Sequence, residues 1–302
     1  MSPHPLASPA PVVPPPLRPR VWPAFVGWVA AIAGGLVIGT PFIVVVLLLH
    51  LRGKHFTSYA ALFDDLVAVA TSPLLIIAAV SGNFIALSGV AILAARWTRD
   101  SGERLLARLA LGPSTLSIPR VIGASLGSLG ISVATSSLIR IAGLEGATIV
   151  QSLDQSFAKA SPLVFVVLVA LVGVAGPLSE ELLFRGFMQP LFRRRWGPRW
   201  GIALSALAFG ITHVDPIQAT FAFVVGIYLG WLTESSRSLR PAIASHVVNN
   251  TTAVILSHFA TSGDSPSKAV TLITGGVGIV LFVIAFFSTR QLLPPVSSPP
   301  RA

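Results

Sequence analysis

"SPLVFVVLVALVGVAGPLSEELLFRGFMQP", residues 161–190, is an apolar run that ends in two adjacent acids and a base. From Ala160 to Ser179 there is no charge for twenty residues; then come Glu180, Glu181 and Arg185. A stretch of this length and composition reads as a transmembrane helix. The rest of the chain agrees. Of 302 residues, 53% are hydrophobic and 11% charged, against roughly 25% charged in soluble domains, and the mean hydropathy is +0.79. The chain is an integral membrane protein. Its expected fold is all-α, a polytopic membrane helical bundle.

Eight stretches can span, at roughly 22–50, 70–95, 119–142, 162–190, 200–214, 218–235, 241–260 and 269–289. The fifth is the shortest. Assigned to alternating sides, fifteen basic residues fall on one side and five on the other. The first group holds Arg18, Arg20, the arginines from Arg96 to Arg120, Arg193, Arg194, Arg195, Arg199, Arg237, Arg240, Arg290 and Arg301; the second holds Arg52, Lys54, Arg140, Lys159 and Lys268. By the positive-inside rule both termini are expected in the cytoplasm. The net charge of +10 is thereby explained as loop charge, and nucleic acid is not expected as a partner. With no Cys, disulfides, thiolate metal sites and cysteine nucleophiles are excluded.

The Pro-dense residues 1–20 cannot bury a core and are expected to be a disordered cytoplasmic tail. The apolar stretch that follows is too long for a signal-peptide core and reads as a retained first span. Residues 21–290 form the membrane helical domain, and 291–302 a second disordered tail. Between the second and third spans, "RDSGERLLARLALGP" places Leu105, Leu106 and Leu109 on one stripe and Arg104 and Arg108 on another, the layout of a short helix lying in the interface. Gly35 and Gly39, Gly123 and Gly127, and Gly226 and Gly230 are small-residue pairs that let helices pack closely.

Ionisable groups inside spans are costly, about 2.5–3.5 kcal/mol each on insertion scales, and so mark function. Here they are Glu180, Glu181, Arg185, His213, Glu234 and His246, nearly all between residues 180 and 250. Glu181 and Arg185 are four apart with the acid first, the favourable order for an ion pair on one helix face. Glu180 is turned by about 100° from Glu181 and must point elsewhere. A carboxylate left unpaired in a dry site suits a general base. In "ALAFGITHVDP", Phe209 and His213 share a face, and counting from the turn at Trp196 and Gly197 sets His213 level with Glu180. In "LRPAIASHVVNN", His246 and Asn250 share another face, with Asn249 beside them. Asn and His can both donate to an oxyanion. His246 follows Arg240 by only six residues, about 9 Å, well short of the depth of the other two. Either the arginine cluster at 193–199 dips inward, Pro190 bends its helix, or the span boundaries differ.

Together "EELLFR", "FGITH" and "HVVNN" resemble the EExxxR, FxxxH and HxxxN signature of the CPBP family, the CAAX-protease and bacteriocin-processing intramembrane proteases, which includes the Ras-converting CAAX endopeptidase. The resemblance covers a protease core of about residues 160–262. It implies that Glu180 with His213 activates water, that His246 and Asn250 stabilise the oxyanion, and that Glu181, Arg185 and Phe209 support them. It also implies a substrate that is a membrane-anchored or transmembrane peptide or protein, met in the lipid bilayer, and a bacterial inner-membrane location. Family members are often called metalloproteases, and Glu180, His213 and His246 would make a zinc set of the His2Glu type. A Glu180 that ligates zinc is less free to act as base, so the zinc and metal-free mechanisms pull apart. Two other functions fit the same residues. One is a transporter or proton relay through Glu180, Glu181 and Arg185; the other is a non-proteolytic scaffold or immunity protein of the same family.

Overall fold

The computed structural model describes residues 20–70, 72–144, 156–259 and 266–290. Among the described residues the chain is helical, with no strand. The tails expected at 1–20, Arg20 apart, and at 291–302 lie outside the described residues. The helices are α1 (Trp22–Leu51), α2 (Tyr59–Ala70), α3 (Pro73–Thr98), α4 (Leu105–Arg108), α5 (Ile118–Ile141), α6 (Pro162–Trp196), α7 (Pro198–Ile211), α8 (Pro216–Ser236), α9 (Arg240–Phe259) and α10 (Lys268–Arg290).

All eight stretches expected to span are helical, but six (α1, α3, α5, α6, α8 and α10) are long and apolar enough to cross a membrane. α7 has 14 residues and rises only about 21 Å, against a hydrocarbon core of about 30 Å. α9 has 20 residues, but His246, Asn249, Asn250, Thr251 and Thr252 make it too polar to be read as a span. These two helices carry His213 and His246, so the departure falls on the elements that build the site. α2 is an additional short helix beside the end of α1. Lys54 Nζ donates to Asp65 Oδ1 at 2.7 Å there, and this bond, with His50, holds the Asp65 carboxyl below its usual value.

The segment expected to form an interface helix does something else. Only Leu105–Arg108 is helical. Leu106 is exposed while Arg108 and Leu109 are buried, so the expected apolar stripe is broken. Arg108 Nη2 donates to Thr98 Oγ1 at 3.2 Å. The following residues form a strap under the α8–α9 turn. Ala110 O accepts from Leu239 N at 2.7 Å, Gly112 O from Ser238 Oγ at 2.8 Å, and Leu111 O from Arg240 Nε at 2.9 Å. The backbone groups that a buried turn must satisfy are met by this strap, and Ser236, Ser238 and Leu239 are fully buried.

That strap answers the question of depth. Leu239 Cδ2 lies 3.3 Å from where a side chain on Gly186 would begin, so α9 starts level with Gly186 rather than with the arginine cluster. Back from Gly186 to Glu181 is about 7 Å of helix, and forward from Leu239 to His246 about 10 Å. Both side chains arrive at one height. The arginines at 193–195 lie further along α6, where Arg193 pairs with Glu234 at 2.9 Å and Arg194 reaches Asp100 at 3.7 Å. Of the basic segments that the charge count placed on one side, those at the ends of α3, α6 and α8 meet at one end of the bundle. The N-terminal turns of α1 lie there too, with Trp22 against Trp97 and Phe25 against Phe192.

α6 is not a regular helix. Two seven-residue stretches, Val169–Ala175 and Leu182–Met188, are wound with the wide i→i+5 turns of a π-helix, and they flank Gly176–Glu181. Such turns concentrate at functional sites. Pro177 supplies a cause, because its missing N–H cannot reach back to the carbonyls of the preceding turn. α9 takes up both freed acceptors: Gly173 O accepts from Thr251 Oγ1 at 3.2 Å and Val172 O from Asn250 Nδ2 at 3.5 Å. The approach requires a glycine, since a Cβ on Gly173 would stand 2.7 Å from Thr251 Oγ1 and 3.2 Å from its Cα. Of the expected glycine contacts, Gly35 and Gly39 meet α3 at Asn83 and Gly82, and Gly226 and Gly230 meet α6. α5 approaches α10 through Gly127 and Gly130.

Gly173→Ala is therefore expected to wedge α9 away from α6. The cost should be about 1–3 kcal/mol, seen as a lower melting temperature of the purified protein in detergent.

Candidate active site

Glu181 and Arg185 form the expected ion pair, Nη1 to Oε1 at 2.8 Å, and neither side chain has any exposed surface. The pair is not self-contained. Glu181 Oε1 also lies 2.9 Å from His246 Nδ1, so one carboxylate oxygen is shared between a guanidinium on its own helix and an imidazole on α9. Arg185 Nη2 donates to Gly226 O at 3.1 Å on α8, and its guanidinium carbon lies 4.6 Å from the centroid of the Phe209 ring on α7. Glu181 and Arg185 thus tie four helices together. One turn on, Gln189 Nε2 donates to Gly230 O at 3.0 Å, repeating the contact to α8 with a neutral amide.

Glu180 points away from the ion pair, as its rotation requires. Its Oε2 lies 3.6 Å from His246 Nε2, and its side chain is 18% exposed against 4% for His246. His246 is therefore held between the two glutamates, one on each ring nitrogen. The expected aim of Glu180 at His213 is not what is found: among the described residues, no hydrogen bond or ion pair joins them. His213 joins the cluster through Phe209, whose ring centroid is 4.9 Å from that of His213 and 5.7 Å from that of His246. Both histidines touch the same ring, so they do share a depth. His213 Nδ1 is 2.9 Å from Phe209 O. A carbonyl only accepts, so Nδ1 carries the proton and Nε2 is left as an acceptor. A carboxylate likewise only accepts, which makes His246 Nδ1 the donor to Glu181. Nε2 of that ring faces Glu180.

Asn250 reaches α6 through Val172 rather than through the glutamates. Its neighbour Asn249 accepts a hydrogen bond from Ser132 Oγ on α5 at 2.6 Å, so the third span, silent in the sequence, reaches the helix that carries His246. A second residue missed in the sequence is Trp28 on α1. Its Nε1 donates to Thr212 Oγ1 at 3.0 Å, beside His213 at the end of α7. An indole N–H within a span needs an acceptor, and that requirement was the available signal.

Zinc of the His2Glu type needs three ligands converging on one point. Among the described residues, no three His, Cys, Asp or Glu side chains are so placed. His246 Nε2 faces Glu180, whereas His213 meets His246 only through the Phe209 ring, so among the described residues Glu180, His213 and His246 do not converge on one point as the ion requires.

Inside this multi-span helical bundle two acids, set between the two wide-turned stretches of α6, meet a histidine of α9. The comparison of sequences is more specific. Residues 162–252 match the family model of Type II CAAX prenyl endopeptidase Rce1-like proteins. The matched segment holds all three motifs, and the family it is similar to is the one those motifs resemble. The match spans α6 to α9, the helices that carry Glu180, Glu181, Arg185, Phe209, His213, His246 and Asn250. No curated protein and no solved structure matches the chain.

Removing one partner of a buried pair leaves a charge uncompensated, at about 3–5 kcal/mol. Glu181→Ala should accordingly lose stability on that scale in chemical unfolding, and Glu181→Gln, which keeps an acceptor for His246, should lose less. Trp28→Phe should cost about 1 kcal/mol, with Thr212→Val giving the same loss and the double variant no more than either alone.

Proposed function

We propose that the protein is an intramembrane endopeptidase that hydrolyses peptide bonds of membrane-anchored or transmembrane substrates. The observation that carries this reading is His246 held between Glu180 and Glu181 at the level of His213, inside the segment that matches a family of membrane endopeptidases. Glu180 is the base. It takes a proton from water, the hydroxide adds to the scissile carbonyl, and the proton passes to the leaving amine as the C–N bond breaks. His213 Nε2 accepts from the same water and fixes its approach. His246, with both nitrogens protonated, donates from Nε2 to the oxyanion, and Asn250 donates beside it. Glu181 orients His246 as the carboxylate of a triad orients its histidine. Both termini and the arginine-rich end lie in the cytoplasm of a bacterial cell, in keeping with the charge asymmetry.

The test is cleavage of a panel of prenylated and transmembrane peptides by the purified protein. Glu180→Ala should abolish turnover. Asn250→Ala should lower kcat by about 100-fold, as loss of one oxyanion donor does, with KM little changed. Activity should survive a chelator. Cleavage that persists in Glu180→Ala overturns the assignment of the base, and ion flux that depends on Glu181 without cleavage would favour a relay.

A further inference from the structure

Beside the catalytic cluster lies a cavity of 640 Å³ between α5, α8, α9 and α10. Neither the glutamates nor the histidines line it, but Asn250 does, one turn along α9 from His246, and so do Ile217 and Gln218, just past His213. Its other walls come from the last turns of α5 and α9 and the first turns of α8 and α10. Among the described residues it therefore lies toward the end of the bundle opposite the arginine clusters.

The lining mixes apolar side chains, Leu129, Val133, Phe221 and Val254, with hydroxyls and carboxamides, Ser132, Ser136, Asn249 and Asn250. Asn249 is 6% exposed and lines the cavity. Its oxygen is taken by Ser132, and among the described residues nothing accepts from its amide nitrogen. Asn249 lines the cavity with this donor free to serve whatever occupies it. A carboxamide pair offers donors and acceptors together, which matches the paired N–H and C=O groups of an extended peptide. Peptide hydrolysis in a bilayer needs such a site. A helix must unwind before its carbonyl can be attacked, and unwound backbone is tolerated at membrane depth only against protein polar groups or water.

We propose that this cavity is the substrate subsite, and that it receives an unwound, extended segment of a membrane peptide from the end of the bundle away from the termini, the non-cytoplasmic side. The proposal rests on the proteolytic reading and names the side and form in which substrate arrives. Asn249 holds the backbone, and the apolar side chains of the lining receive the side chains next to the scissile bond.

The absence of Cys makes the test direct. Leu129→Cys lies on the cavity wall, whereas Leu126→Cys, one turn away, is exposed on the outside of α5. A membrane-impermeant charged maleimide applied from outside to spheroplasts should label the first severalfold faster than the second. In the Glu180→Gln background, the peptide probe is a Leu/Ala transmembrane helix of about 24 residues, broken at its centre by Asn-Pro-Gly and carrying a benzophenone at the break. It should crosslink to residues 129–140 and 249–257, severalfold more than an unbroken control, and Leu129→Trp should suppress this. Equal labelling of the two cysteines, labelling only from the cytoplasmic face, or crosslinks that ignore the break would overturn the proposal. Cleavage by the wild type is scored separately, so failure to cut any broken peptide counts against the proteolytic reading alone.

Discussion

The structure depends on a single carboxylate oxygen, Glu181 Oε1, which accepts from Arg185 at 2.8 Å and meets His246 Nδ1 at 2.9 Å. In a membrane interior two charges are tolerated when they neutralise one another and their remaining donors find acceptors. Here the partners that are found also do the positioning, while Arg185 Nε and Glu181 Oε2 stay buried without one among the described residues. Arg185 cannot satisfy its donors on α6 alone and takes a carbonyl from α8 and the face of an aromatic ring from α7. Glu181 takes an imidazole from α9. The helices that supply the partners are those that carry the candidate site, so the ion pair sets their relative heights.

A second constraint lies in the backbone. Pro177 within a span frees carbonyls that a lipid-facing helix could not leave unpaired. The partners come from Thr251 and Asn250, close to His246 on the same helix, through the space that Gly173 leaves open. The proline thus converts an irregular stretch of α6 into a docking edge for α9. The strap from Ala110 to Thr115 closes the arrangement from below by satisfying the α8–α9 turn, which lets a polar helix begin well inside the bundle.

Much of this is legible in the sequence where contacts are local. The i,i+4 order of Glu181 and Arg185, the divergence of Glu180, the shared face of Phe209 and His213, and the helical stretches all follow from helix period and hydropathy. What is not legible is long-range. Nothing local says that Glu181 has a second partner 65 residues away, that Glu180 turns to His246 rather than His213, or that Ser132 reaches Asn249 from α5. Counting from the charged cluster leaves the depth of His246 unresolved, because α9 starts level with Gly186. The "GP" pair at 176–177, in the middle of an apolar run, was the one local sign that α6 is wound irregularly.

The central claim is that Glu181 holds His246 by its Nδ1 proton so that Nε2 faces Glu180. Nitrogen-15 shifts of the His246 ring, measured on the protein in lipid nanodiscs, test it most directly. The account predicts a protonated Nδ1 hydrogen-bonded to a carboxylate, with that signature lost in Glu181→Ala. A ring protonated only at Nε2, or a spectrum indifferent to Glu181→Ala, would contradict it.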